Sequence, residues 1–175
     1  MPPTTPDGDD RAYTDAVDFP ESVTLHPVAV VRSPFAQRHG TPRQPGFDGP
    51  KEFGEGLGQV ELLPSVNPLV LQDLAGFDRI WLLTWLHLNG PGGRPLVRPP
   101  RGGPKRGLFA TRAPHRPNPL ALSCVELLGV EGRILQVRGL DLLDGTPVLD
   151  IKPYIPTFDA HPDASSGWLA DSLED

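Results

Sequence analysis

The chain is 175 residues long with a formal net charge of −6 at pH 7, a length that suits one domain with tails. Proline and glycine supply 23 and 19 residues, close to the level that accompanies disorder, but well-formed apolar segments exclude a wholly disordered chain and point to a turn-rich, mainly β protein. No apolar run approaches the roughly 20 residues that span a bilayer, which argues against a membrane partner, and a single Cys124 without a signal peptide fits a reducing cytoplasm.

The charge is unevenly spread. Residues 1–22 hold six acids and one base, residues 159–175 hold five acids and no base, and the body between them is net +4. Both ends therefore read as acidic tails, the first disordered, around one domain over residues 23–158. Inside that domain Arg94, Arg98, Arg101, Lys105, Arg106, Arg112 and Arg116 follow one another with no acid among them. A basic segment in an acidic chain is the footprint of a polyanion partner such as nucleic acid.

His26 to Arg32 is rich in β-branched residues and stops at Ser33-Pro34, so it predicts a strand. Residues 33–51 form a long loop with no periodicity, and a loop of that length commonly carries function. Pro42–Pro45 stiffens the presentation of Arg43 and Gln44. Leu57 to Leu63 predicts a second strand. Asn67-Pro68 is a helix start, with Asn as cap and Pro at the first position, and Gly76 closes it. Phe77 to Leu88 predicts a central strand buried on both faces, with Trp81 and Trp85 in the core. His87 ends that run, either as a site residue or as a hydrogen-bonded core residue.

After a Gly/Pro/Arg loop over residues 89–105, Arg106 to Thr111 predicts a strand. It runs into Gly107–Ser123, which reads GLFATRAPHRPNPLALS. Pro114, Pro117 and Pro119 remove backbone donors and disfavour helix before them. The result is a stiff extended arm that holds Arg112, Arg116 and Asn118 in set directions, a pattern suited to a carboxylate or a phosphate. Leu120–Val130 and Arg133–Leu140 predict a hairpin turning at Glu131-Gly132. Asp144-Gly145 marks another turn. Thr146 to Ile151 is a last strand, ending at Lys152-Pro153-Tyr154, and a short helix is expected around Trp168. Seven strands, one short helix, long Gly/Pro-rich loops and no βαβ alternation predict a small closed or nearly closed β-barrel, which leaves no exposed edge.

The five histidines show neither His-x-His nor HExxH spacing, so no metal is expected. Two tyrosines and seven phenylalanines with no cluster along a strand argue against a non-catalytic RNA-binding barrel, which stacks bases on such clusters.

Four stretches in order, PRQPG (Pro42–Gly46), RPPR (Arg98–Arg101), GLFATRAPHRPNPLALS and DLLDGTPVLDIKPY (Asp141–Tyr154), resemble the TrmO family of tRNA N6-threonylcarbamoyladenosine methyltransferases. The likeness runs from about His26 to Tyr154, and the chain resembles the shorter members, without an additional C-terminal domain. The resemblance implies a small β-barrel that binds S-adenosyl-L-methionine and works as a homodimer, with the cofactor near the subunit interface. It also implies methylation of N6 in a threonylcarbamoyl-modified adenosine beside the tRNA anticodon; another RNA or a small molecule is the alternative substrate.

Carried over onto matching positions, the resemblance places Gln44, Pro45, Gly46, His87, Leu88, Arg112, Leu122, Asp141, Leu142, Leu143 and Asp144 around the cofactor. Arg112 would take the methionine carboxylate, and Asp141 or Asp144 the ribose diol. Leu122, Leu142 and Leu143 would take the adenine. Arg43, Arg98, Arg101, Arg116, Asn118, Lys152 and Tyr154 are the candidates for substrate contact. His87, Asp150 and Tyr154 are the candidates for helping the N6 proton leave.

Overall fold

The computed structural model describes residues 21–45, 56–90, 92–99 and 103–170. The predicted acidic N-terminal tail up to residue 20, the last five residues, Gly46 and Arg101 lie outside the described residues. Six antiparallel strands close a barrel in the order β1-β2-β7-β6-β3-β8. These are β1 (Ala29–Arg32), β2 (Gly58–Leu62), β3 (Arg79–Trp85), β6 (Leu120–Glu131), β7 (Ile134–Arg138) and β8 (Pro147–Pro153). Two short strands, β4 (Leu96–Val97) and β5 (Arg106–Gly107), form a separate ribbon.

Each barrel strand alternates inward and outward. Ile80, Leu82 and Thr84 on β3 are buried, and so are Val31, Val60, Leu62, Val125, Leu135, Val137 and Val148 on the other strands. This period-two pattern is what one wetted and one packed face require. Closure needs local bending, and register shifts at Leu83/Thr84 and at Leu127/Gly129 provide it. Gly58 lets the sheet close tightly: a Cβ there would meet the Arg32 carbonyl oxygen at 2.4 Å. Among the described residues no helix is long and apolar enough to cross a membrane.

The predicted closed β-barrel is found, and six of the seven predicted strands are its staves. Four local expectations change. β3 is not buried on both faces, because a barrel wall has an outside; Trp85 is 45 % exposed, and the Trp81 ring lies 5.7 Å from Tyr154. Arg106–Thr111 is extended only at Arg106–Gly107, where Leu96–Val97 is available as a partner. The chain then turns through a 3-10 helix at Leu108–Ala110, closed by the Thr111 hydroxyl donating to the Leu108 carbonyl at 2.8 Å. The helix expected from Asn67 to Gly76 is two 3-10 turns, Pro68–Leu71 and Leu74–Gly76, split where Asp73 takes φ 64°. Its predicted cap is present, with Leu69 N–H donating to Asn67 Oδ1 at 3.0 Å. The segment around Trp168 is likewise a 3-10 turn, Gly167–Leu169, and a single α-helical turn, α1, lies earlier at Pro156–Asp159.

Candidate functional site

The strand register puts the ends of β1, β3 and β7 at the same end of the barrel as the starts of β2, β6 and β8. The three long connections, residues 33–57, 86–119 and 139–146, therefore leave from one mouth. β7 and β8 are not neighbours, so the link between them must cross that mouth. It does so by plugging it: Leu140 and Leu142 are buried. Backbone and side-chain bonds tie the link down. Leu140 N–H donates to the Gly56 carbonyl at 3.0 Å and Gly145 N–H to that of Val31 at 2.9 Å. The Ser33 hydroxyl donates to the Leu142 carbonyl at 2.8 Å.

Asp141 and Asp144 end in different surroundings. Asp144 is exposed, and its Oδ1 accepts the Ser33 backbone N–H at 3.1 Å. Gly145 beside it takes φ 77°, open to glycine and strained for other residues. Asp144 thus has the contacts of a turn residue. Asp141 is partly buried and accepts the Ser123 hydroxyl at 2.6 Å. Burial pushes its carboxyl above the usual range, while Ser123, its own backbone N–H and the Arg112 guanidinium pull the other way.

Arg112 stands on the exposed arm and donates through Nη1 to Gln44 Oε1 at 2.5 Å. Gln44 in turn donates through Nε2 to the Arg43 carbonyl at 2.7 Å. The first long loop and the arm thus meet at Gln44 and Arg112, and Arg112 lies within electrostatic reach of Asp141 on the mouth-crossing link. His87 and Leu88 follow β3 at this same mouth, both exposed. Leu122 is exposed on the outer wall of β6, opposite Leu83. Leu142 is a buried plug residue, and Leu143 packs partly against the core.

The remaining predicted residues spread more widely. Arg116 Nη1 donates to the Thr111 carbonyl at 3.0 Å, so its guanidinium braces the arm as well as facing outward. Arg43, Arg98 and Asn118 are exposed on the loops at the mouth. Asp150 lies opposite Leu83 on the outer wall and pairs with Lys152 at 2.8 Å. Tyr154 is not at the mouth: its N–H donates to the carbonyl of Arg79, the first residue of β3, at 3.0 Å. A seven-residue strand of ~20 Å separates it from His87.

Two recesses flank the site. One of about 420 Å³ is bounded by Arg32, Ser33, Gly58, Gln59, Gln136 and Asp144. Another of about 450 Å³ lies under the arm, against Gly93, Pro95, Leu108, Phe109 and Pro117. Neither encloses Arg112 with Asp141. Sequence reasoning missed Ser33 and Ser123, which hold Asp144 and Asp141; serine is too common for its partner to be named without the fold. It also missed Trp168, whose indole N–H donates to the Ala110 carbonyl at 2.7 Å while Arg106 lies 5.2 Å over its ring.

The fold and site together define a small antiparallel barrel whose loops bring an exposed arginine and a partly buried carboxylate to one mouth. The sequence model of the tRNA-methyltransferase O N-terminal domain matches residues 30–160, and the chain belongs to that family. It is 40 % identical over 155 residues to the tRNA (adenine(37)-N6)-methyltransferase of Escherichia coli, covering 84 % of this chain and 64 % of that protein. It is 45 % identical over 139 residues to a probable S-adenosyl-L-methionine-binding protein of Methanothermobacter thermautotrophicus, covering 79 % of this chain and 94 % of that one. The crystal structure of TrmO from Pseudomonas aeruginosa is similar with a TM-score of 0.70 and 39 % identity, over 86 % of this chain and 63 % of the other. The chain thus spans 64 % of the length of the Escherichia coli relative and 39 % of a similar Archaeoglobus fulgidus protein.

Proposed function

We propose that this protein is an S-adenosyl-L-methionine-dependent methyltransferase that modifies N6 of adenosine 37 of tRNA, in its threonylcarbamoyl form. The observation that carries the proposal is Arg112, bonded to Gln44, standing at the same mouth as Asp141 and within its electrostatic reach, in a family whose relatives bear these activities in their names. The residues present fit the cofactor. Arg112 offers a fork of donors to a carboxylate, for which Gln44 Oε1 is the present acceptor. Asp141 offers a carboxylate to a ribose diol, and its Ser123 contact orients it. Of the two acidic candidates Asp141 is preferred, because Asp144 spends an oxygen on the Ser33 backbone. Leu88 and Leu122 supply exposed apolar surface for a flat base.

When bound, the cofactor supplies a methyl group on a sulfonium. The chain's own residues need then only align the acceptor nitrogen and take one proton. Of the three proton-acceptor candidates, His87 is favoured because it is exposed at the mouth, whereas Asp150 pairs with Lys152 and Tyr154 sits at the far end. Arg43, Arg98, Arg116 and Asn118 surround the mouth and would meet phosphates or the threonyl carboxylate, giving the salt-dependent part of tRNA binding.

A homodimer belongs to the same proposal. Trp85, Leu88, Leu120 and Leu122 leave apolar side chains exposed on β3, β6 and the segment after β3, a place where a partner could sit. A second copy seated there would lie beside the cofactor. The test is binding of labelled S-adenosyl-L-methionine, then methyl transfer to tRNA with and without the threonylcarbamoyl group. Transfer only to the modified tRNA is expected. Cofactor binding without transfer to either tRNA would shift the reading to another RNA or a small molecule.

A further inference from the structure

The turn just before Arg112 presents one large apolar side chain that stays mostly exposed. Phe109 is 78 % exposed, yet the turn that carries it is pinned on several sides. Leu108 is buried and its N–H donates to the Pro95 carbonyl at 2.9 Å. The Thr111 hydroxyl closes the turn onto the Leu108 carbonyl, and the Trp168 indole holds the Ala110 carbonyl at 2.7 Å. Gly93 lets the arm pack down, since a Cβ there would meet the His115 carbonyl oxygen at 2.8 Å. An exposed phenylalanine on a turn braced this way is held out in one place, and little entropy remains to be lost when something stacks on it.

Its surroundings select the class of that partner. The Arg116 guanidinium lies 5.3 Å from the ring centroid and is tethered to the Thr111 carbonyl at 3.0 Å. Arg94, Arg98 and Lys105 are exposed in the same acid-free stretch. A flat aromatic ring beside one tethered guanidinium and several exposed cations matches a nucleobase joined to its phosphates. An acidic protein segment would use the cations but leave the ring face unmatched.

We propose that Phe109 and Arg116 form a stacking site for one unpaired base of the tRNA loop that carries the target adenosine. The inference rests on tRNA being the substrate. It adds a contact that reads no sequence but holds the loop open beside Arg112, since every base offers a π face.

The experiment uses the full chain with Phe109→Ala, Phe109→Leu and Phe109→Trp. It measures tRNA affinity, KM for tRNA, affinity for S-adenosyl-L-methionine without tRNA, and oligomeric state. Alanine and leucine are expected to weaken tRNA binding about tenfold or more, the ordinary loss of one stacking partner, and to raise KM for tRNA. Tryptophan is expected to restore both, with cofactor affinity and oligomeric state unchanged throughout. Wild-type binding by Phe109→Ala would overturn the proposal. Rescue by leucine as full as by tryptophan would reduce the site to a greasy contact, and a change in oligomeric state would assign Phe109 to an interface between copies. A parent chain that binds no tRNA at all is a different result, which removes the substrate reading and this inference with it.

Discussion

The barrel wall and the arm on its mouth are held together by different physics. The wall is a closed ladder of backbone hydrogen bonds around side chains with no exposed surface, and its stability is shared across many contacts. The arm has no ladder beyond the two-residue ribbon. It is held by prolines and by a few side-chain bonds, from Thr111, Arg116 and Trp168, to its own carbonyls. Damage to the wall should therefore unfold the protein, whereas damage to the arm should spoil binding and leave the fold intact. On the proposed function, binding and chemistry would sit on the part whose loss the fold survives.

The largest expected effect is in the wall. Leu82 is fully buried, so Leu82→Ala should cost about 2–5 kcal/mol by lost transfer energy plus a cavity. Thermal unfolding should show a fall in Tm of several degrees. An unchanged Tm would mean that the barrel interior relaxes freely, against the comparison.

Next is the arm. Arg112→Ala should weaken S-adenosyl-L-methionine binding about thirty-fold or more, the scale of losing one partner of a hydrogen-bonded charge pair. Its folding stability should stay within about 0.5 kcal/mol of the parent. Arg112→Lys should fail to rescue, because an ammonium lacks the fork. Equal cofactor affinity in the alanine variant would place the carboxylate elsewhere.

Asp141 lies where wall and arm meet, and it should show both kinds of effect with opposite signs. Burial raises its carboxyl above the usual 3.8, so the native state holds the proton more tightly than the unfolded chain does. Stability therefore falls as pH rises from that value through the raised one, and the charged form remains a standing cost at neutral pH. Asp141→Asn should raise Tm at pH 7, with the gain shrinking toward pH 4, while cofactor affinity drops. A variant less stable than the parent at pH 7 would show that Ser123 and Arg112 outweigh the burial.

The smallest effect is at Trp168. Losing its bond to Ala110 should cost about 0.5–1.5 kcal/mol of local order. Trp168→Ala is expected to raise KM for tRNA a few-fold with kcat little changed, and Trp168→Phe, which keeps the ring under Arg106, to recover part of it. Steady-state kinetics on both variants checks this; a loss confined to kcat would contradict a positioning role.

Much of the architecture was legible in the order of residues. Period-two runs bounded by Gly and Pro marked six staves, Glu131-Gly132 and Asp144-Gly145 marked their turns, and Asn67 marked its cap. Where the reading failed, a partner was missing or a face was misjudged. Arg106–Thr111 looks like a strand, yet only its first two residues find another to pair with. Trp81 and Trp85 look like core, but they alternate with buried Ile80, Leu82 and Thr84, which puts both on the outside of a closed wall. Tyr154, two residues past Lys152, lies at the opposite end from His87, which no motif spacing reveals.

The linear order by itself determined the closed β class, the stiff proline-braced arm, the clustering of cations in an acidic chain and the family likeness, because each depends on local periodicity or local composition. Only the tertiary structure decided that Asp144 supports a turn while Asp141 is half-buried against Ser123, that Ser123 and Trp168 act as braces, and that Phe109 stays mostly exposed beside Arg116. Those outcomes depend on which distant segments share the barrel mouth. Closure of β1 against β8 sets that meeting, and no single stretch carries it.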